Sequence, residues 1–170
     1  HDPLTGIFNR REFQSRLTRC LTNAQQREST HALLYMDLDQ FKEVNDCCGH
    51  SAGDELLRQI SRIINDKIRQ RDAFARVGGD EFAAILENCS TAEAHRVAEN
   101  IRDAISSYEF KYEEQYFKIG VSIGLVPITH ESESTEQLIK IADSTCYAAK
   151  AAGRNRVHSY NMHREQRRTE

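Results

Sequence analysis

The chain has 170 residues, 29% of them charged and 39% hydrophobic, and a formal net charge of -3. That length fits one domain burying roughly 70% of the surface of its unfolded chain, with no need of a disulfide or a structural metal to fold. The composition excludes disordered and collagen-like classes, the near-zero charge offers no global pull on a nucleic-acid polymer or an anionic membrane, and no apolar run approaches the roughly 20 residues of a membrane span.

The opening His1-Asp2-Pro3-Leu4-Thr5 lacks the basic start of a secretory leader. Phe13, Leu17, Cys20, Leu21 and Ala24 then share one helix face. Ala32 to Met36 is an apolar run of strand length, and Leu56, Ile60, Ile63 and Ile64 predict a long helix over 52–68. Phe74 to Val77 and Phe82 to Leu86 flank Gly78-Gly79-Asp80-Glu81 and predict a β-hairpin. Ser90-Thr91-Ala92-Glu93 is a capping box, and the helix after it aligns Ala94, Val97, Ala98, Ile101 and Ile105. Tyr116 to Ile128 predicts a single strand with Pro127 near its end. Ser134 to Gln137 opens a helix that aligns Leu138, Ala142, Cys146 and Ala149 and stops at Gly153. Arg156 to Tyr160 predicts a last short strand, and residues 161–170 read as a polar tail or linker after a domain over 1–160.

Strands and helices therefore mix through one length, which predicts an α+β domain with a central, partly antiparallel sheet and packed helices. Cys20, Cys47, Cys48, Cys89 and Cys146 are odd in number and include no Cys-x-x-Cys pair. Adjacent Cys47 and Cys48 do not easily bridge each other, and all five read as reduced thiols of a cytoplasmic domain with no disulfide role, Cys20 and Cys146 being small core hydrophobes.

Three groups of residues carry candidate chemistry. Asp37 and Asp39 stand two apart where the first apolar strand runs out, on one strand face. Two such charges about 4 Å apart repel by about 4 kcal/mol at an effective dielectric near 20, so the pair wants a cation or wide solvation. Asp80-Glu81 supplies a second acidic pair, and carboxylate oxygens converging in that number suit magnesium or manganese. Lys42, Lys150 and Arg154 are candidate phosphate binders, the last two placed one helical turn apart. A helix C-terminus attracts cations in any case. Asn45 and Asp54, around Gly49-His50 and Gly53, offer an amide and a carboxylate able to read a guanine edge. Equally, Asn45-Asp46 could end a short helix while Ser51 and Asp54 cap the next. Neither Gly-x-x-x-x-Gly-Lys nor Gly-x-Gly-x-x-Gly is present, which excludes the P-loop and the dinucleotide fingerprint.

Gly78-Gly79-Asp80-Glu81-Phe82 is the literal GGDEF pentapeptide, and the chain resembles the GGDEF family of diguanylate cyclases. The likeness extends through Asp2-Pro3-Leu4-Thr5-Gly6, Asp37-Leu38-Asp39-Gln40-Phe41-Lys42, Asn45-Asp46, Gly49-His50, Gly53-Asp54, Ser122-Ile123-Gly124, Tyr147-Ala148-Ala149-Lys150 and Gly153-Arg154-Asn155-Arg156-Val157. It implies a mostly antiparallel five-stranded sheet flanked by helices, with a ferredoxin-like core similar to adenylyl cyclase and the polymerase palm. It further implies condensation of two GTP into cyclic di-GMP and two pyrophosphates, with two magnesium or manganese ions per GTP site.

By motif position, Asp37, the Leu38 carbonyl, Asp80 and Glu81 resemble the metal ligands, and Asp80, Glu81 and Lys42 the catalytic groups. Asn45, His50, Asp54, Lys150 and Arg154 resemble the GTP binders. Arg69 and Asp72, an Arg-x-x-Asp at the family's offset from the pentapeptide, resemble the inhibitory product site. The resemblance also implies a catalytic homodimer, a bacterial signalling role, a sensory domain before the chain, room for a further domain after it, and full-length relatives that include membrane-anchored ones. Cys47-Cys48 departs from the family's more usual small or aromatic pair, which puts little in doubt, and Cys48 is the thiol expected to make the domain oxidant-sensitive. The alternative reading is a regulatory module that binds GTP or cyclic di-GMP without turnover. A template-dependent polymerase is disfavoured by the lack of a basic groove signature.

Overall fold

Strand β1 (His31–Asp39) forms the axis of a five-stranded sheet. It is buried on both faces, which is why its sequence is a continuous apolar run rather than an alternating one. A computed structural model describes residues 1–161, so Asn161 is the one residue of the expected tail within it and 162–170 lie outside the described residues. β1 pairs antiparallel with β3 (Glu81–Leu86) on one side and with β6 (Gly120–Ile128) on the other. β2 (Ala73–Arg76) extends the sheet beyond β3, and β7 (Val157–Ser159) adds a parallel edge beside β6. The architecture is the mostly antiparallel five-stranded sheet that the resemblance implied.

Helices cover both faces. Leu34, Met36, Leu38, Phe82 and Ala84 pack under α2 (Phe41–Cys48), α3 (His50–Asn65) and α4 (Thr91–Ser106). Leu33, Tyr35, Ala83 and Ile85 pack under α1 (Arg10–Arg27) and α5 (Thr135–Ala151). Odd and even residues of β1 thus serve different layers. Ser90 and Ser134 accept from the backbone N–H of Glu93 and Gln137, forming the expected N-caps. Cys20 and Cys146 sit in the core, where burial pushes each thiol up to about 12.

Four expectations are corrected. The strand predicted over Tyr116 to Ile128 is broken at Ile119. β1 ends at Asp39 opposite Gly120, so residues before Gly120 have no partner in the main sheet. They form β5 (Gln115–Lys118), which pairs instead with an unforeseen β4 (Glu109–Tyr112) in a small separate hairpin. The helix expected over 52–68 starts at His50 and ends at Asn65; Gly49 precedes it with no side-chain cap, so Ser51 and Asp54 are not caps. α2, considered only as a short helix ending near Asn45, buries one side chain, Val44, which leaves it without a periodic signature. Arg154 does not continue α5: the helix stops at Ala151, and Gly153 and Arg154 follow with φ of +127° and +63°. The one-turn spacing from Lys150 to Arg154 therefore places them on no common helix face.

Outside β2, the N-terminal segment adds one parallel bridge, from Phe8 to Ala75. Phe8 N–H donates to the Phe74 carbonyl at 3.2 Å and Arg76 N–H to the Phe8 carbonyl at 2.9 Å. The Arg76 guanidinium meets Asp2 at 3.3 Å and donates to the Gly79 carbonyl at 3.0 Å.

Gly124 sets how closely α5 lies on the sheet. A Cβ there would stand 2.6 Å from Cys146 N and 2.8 Å from the Ala142 carbonyl oxygen, both backbone atoms. Gly124→Ala is expected to destabilise the domain by about 1–3 kcal/mol through overpacking. Urea unfolding reads this directly; a midpoint equal to the parent's would refute the close approach.

Candidate active site

The carboxyl end of β1 brings the first cluster together. Asp37 lies opposite Glu81 of β3 and opposite Ser122 of β6 in register. Leu38 N–H donates to the Asp80 carbonyl at 3.2 Å, which pins the β2–β3 turn to β1. Within that turn, Val77 and Gly78 N–H both donate to the Glu81 carbonyl, at 3.0 and 3.4 Å. A Cβ on Gly78 would stand 2.9 Å from Glu81 Oε2, so any other residue there would displace that carboxylate. Asp37, Glu81 and Lys150, with Tyr35, Asp143 and Tyr147, line a cleft of about 350 Å³.

The two acids of β1 have different fates. Asp39 is 1% exposed and fully engaged: Ser122 Oγ donates to it at 2.9 Å and Asn155 N–H at 2.9 Å. It is part of the framework. Asp37 Oδ1 is buried without a well-aligned hydrogen bond; Lys150 Nζ lies 3.2 Å from it and 3.6 Å from Asp39 Oδ1. Burial, and then the neighbouring Asp80 charge, push the Asp37 carboxyl up to about 7, with Lys150 pulling it back. Glu81 is raised by burial and by Asp143 and Asp80, against a hydroxyl hydrogen bond from Tyr35 at 3.5 Å. Burial works against the Lys150 charge, but Asp37, Asp39 and Asp80 outweigh it and hold its ammonium above the ordinary lysine value.

A second cluster forms where α2 meets α3. Asn45 Oδ1 is also buried without a partner, and with Asp37 Oδ1 it makes the only such pair of side-chain atoms among the described residues. The Asn45 amide lies against the bare Cα of Gly53, where a Cβ would run into Oδ1. Asp54 follows Gly53 and is exposed; His50, the first residue of α3, and Lys42, in the first turn of α2, are exposed as well. Arg154 is exposed in the turn after α5.

Arg69 and Asp72 lie apart from both clusters, between α3 and β2. The Asp72 carboxylate is 2% exposed and accepts from Arg69 N–H at 2.9 Å and Glu87 N–H at 3.2 Å. Arg69 is the accessible member, with Nη2 donating to the Glu87 carbonyl at 2.9 Å, beside a cavity of about 370 Å³ that Arg96 also lines. Tyr35, Ser122, Asp143 and Asn155 receive no site role from sequence, although Ser122 and Asn155 lie in blocks that carry the family likeness and Asp143 stands seven residues before Lys150 on α5.

Among the described residues, no three His, Cys, Asp or Glu side chains are grouped to hold a metal ion. The donors that fit a hard divalent cation are the Asp37 and Asp80 carboxylates and the Leu38 carbonyl: all are oxygen, and one is a buried orphan beside a second acid.

A family model described as diguanylate cyclase, GGDEF domain, matches residues 1–156. The chain belongs to the GGDEF family. It is 38% identical over 160 residues to probable diguanylate cyclase DgcE of Escherichia coli, covering 94% of this chain and 14% of that protein. It is 33% identical over 160 residues to cyclic di-GMP phosphodiesterase PdeB of Shewanella oneidensis, covering 94% of this chain and 18% of that one. The chain thus spans a small part of these relatives. The crystal structure of the GGDEF domain of DgcB from Caulobacter crescentus, in complex with c-di-GMP, superposes with a TM-score of 0.88 at 33% identity, covering 93% of this chain and 91% of that one.

The GGDEF domain should show the Asp37 proton in its stability. The folded state binds it up to about pH 7 and the unfolded chain only near the ordinary 3.8, so between these values stability falls as pH rises. In chelator-treated protein, Asp37→Asn should gain stability over the parent as pH is raised from about 5 to about 8. Urea denaturation at both values measures the gap; a gap that does not widen would show that Asp37 ionises normally.

Proposed function

We propose that this GGDEF domain condenses two GTP molecules into cyclic di-GMP and two pyrophosphates. The observation that carries this reading is the placing of the two unpartnered buried oxygens. One, Asp37 Oδ1, sits in the acidic cluster where a cation would meet phosphate. The other, Asn45 Oδ1, sits against Gly53 where a purine edge would supply N–H donors. A buried polar group without a hydrogen bond costs about 1–3 kcal/mol, so a donor reaching Asn45 Oδ1, and a cation sharing Asp37 with Lys150, would be favoured at these two places.

A divalent cation bound by Asp37, Asp80 and the Leu38 carbonyl, two per GTP in the full reaction, would neutralise triphosphate charge and ease ionisation of the ribose 3′-hydroxyl. Asn45 and Asp54 orient guanine, with His50 at its side, and Lys42, Lys150 and Arg154 hold the triphosphate. Asp80, on a turn with open space around Gly79, takes the 3′-hydroxyl proton as the oxygen attacks the α-phosphorus. Glu81, beside Asp80 and raised by burial and by the Asp143 and Asp80 charges, would add a further carboxylate oxygen to the cation. One domain holds one GTP, so two copies face each other across a two-fold axis and a single copy is inactive. Cyclic di-GMP returns as an inhibitor on Arg69, whose guanidinium Asp72 holds in place from beneath.

The likeness to a protein named cyclic di-GMP phosphodiesterase supports a second reading, a regulatory module that binds GTP or cyclic di-GMP without turnover, although the intact acidic set disfavours it. Incubation with magnesium and GTP separates the two. Cyclic di-GMP is expected once dimerisation is enforced by a fused coiled coil; calorimetric GTP binding with no product would establish the module instead. Asp80→Ala should abolish product formation while leaving the unfolding midpoint in place. Asn45→Ala should raise KM for GTP by about tenfold, the loss of one hydrogen-bonding group, with little change in kcat. Unchanged KM in that variant would remove Asn45 from the guanine site.

A further inference from the structure

Cys47 and Cys48 close α2 and have no part in the chemistry above. The Cys48 thiol donates to Cys47 Sγ at 3.2 Å. Cys47 is exposed and Cys48 half-buried, whereas Cys20, Cys89 and Cys146 are only 2%, 2% and 4% exposed. A reagent arriving from solvent therefore meets this pair before any other thiol.

We propose that Cys47–Cys48 is a dithiol modification site, at which a hydroperoxide forms a disulfide that withdraws Asn45 from GTP; this rests on the guanine-reading role of Asn45. The chemistry balances with hydrogen peroxide as oxidant. The exposed Cys47 sulfur, as thiolate, attacks one peroxide oxygen; the O–O bond breaks, Cys47 becomes a sulfenic acid, and hydroxide leaves as water with one proton. The Cys48 sulfur then attacks the sulfenic sulfur; the S–S bond forms and a second water carries off the hydroxyl and the Cys48 proton. Two thiols lose two electrons and the peroxide gains them. The 3.2 Å separation of the two sulfurs places Cys48 within reach of the sulfenic sulfur for the second step.

The structural consequence follows from chain geometry. A disulfide between adjacent residues closes an eight-membered ring through the peptide bond; with the Cα atoms held about 3.8 Å apart, below the roughly 4.4–6.8 Å usual for disulfides, the ring is tight and restricts the torsion angles of both residues. Helical torsion angles at Cys47 and Cys48 do not meet that restriction, so closing the ring turns these two residues out of the last turn of α2. That turn is held by Gly49 N–H donating to the Asn45 carbonyl at 2.8 Å, and Asn45 is the residue whose amide rests on Gly53. α2 has eight residues and one buried side chain, which makes its opening a local event.

The test treats the whole domain with hydrogen peroxide and follows intact mass, peptide maps, hydrogen exchange of α2 amides and calorimetric binding of a non-hydrolysable GTP analogue. The expected result is loss of two hydrogens mapped to Cys47–Cys48, faster α2 exchange, and about tenfold weaker binding that dithiothreitol restores. Cys47→Ser and Cys48→Ser should bind the analogue like the parent and keep that affinity after peroxide. Oxygen addition without a 47–48 disulfide, or the disulfide with α2 exchange unchanged, would overturn the proposal. So would the disulfide with unchanged binding in a domain whose reduced form binds the analogue. A reduced domain that binds no analogue at all would instead sink the GTP reading, and the mass and exchange results would still decide whether the switch exists.

Discussion

Asp39 is a carboxylate sealed at the end of a strand that is otherwise apolar, and three separate segments converge to make that placement tolerable. An isolated buried charge is penalised by several kcal/mol unless it is paired and hydrogen-bonded. Ser122 reaches it from β6, the Asn155 backbone from the turn before β7, and Lys150 from α5. Satisfying one acid therefore fixes the positions of β6, α5 and the chain leading to β7 around the end of β1. Asp37, on the same face two residues earlier, inherits a surrounding that Asp39 has already spoken for. It keeps only a share of Lys150, with no well-aligned hydrogen bond at Oδ1. The contrast between a satisfied acid and an unsatisfied one, built on the same strand, is the physical origin of the candidate site.

That contrast was invisible in the sequence. Asp37 and Asp39 have the same residue type, the same strand face and the same spacing to the apolar run, and only the tertiary arrival of Ser122 and Asn155 separates them. Where local rules decide the structure, the sequence was legible. The apolar spacing in α1, α3, α4 and α5, the Ser90 and Ser134 caps and the Gly-Gly turn all specify themselves within a few residues. Where partners decide it, the sequence misled. Tyr116 and Phe117 have strand character, but which strand they join depends on β1 ending at Asp39. Arg154 has helical spacing from Lys150, but Gly153 turns the chain first. The pentapeptide and its companion motifs located the Asp37, Asp80 and Asn45 region, and the structure added what motif matching cannot supply, the hydrogen-bonding state of each atom.

Arg69 and Asp72 illustrate the same division of labour between an engaged acid and an available base. The carboxylate is consumed by backbone N–H groups of Arg69 and Glu87, and the guanidinium is what remains at the surface. A short sequence motif can thus contain one residue consumed by the framework and one left exposed, a difference that residue identity alone does not show.

The bridge from Phe8 to Ala75 has a bearing on assembly. It occupies the rim of β2, and the opposite rim is formed by β7, only three residues long. Unpaired strand rims are where sheets of separate molecules zip together. With one rim bridged and the other only three residues long, the main sheet offers little backbone for another strand to join, and the register that holds the end of β1 is shielded from edge-to-edge pairing.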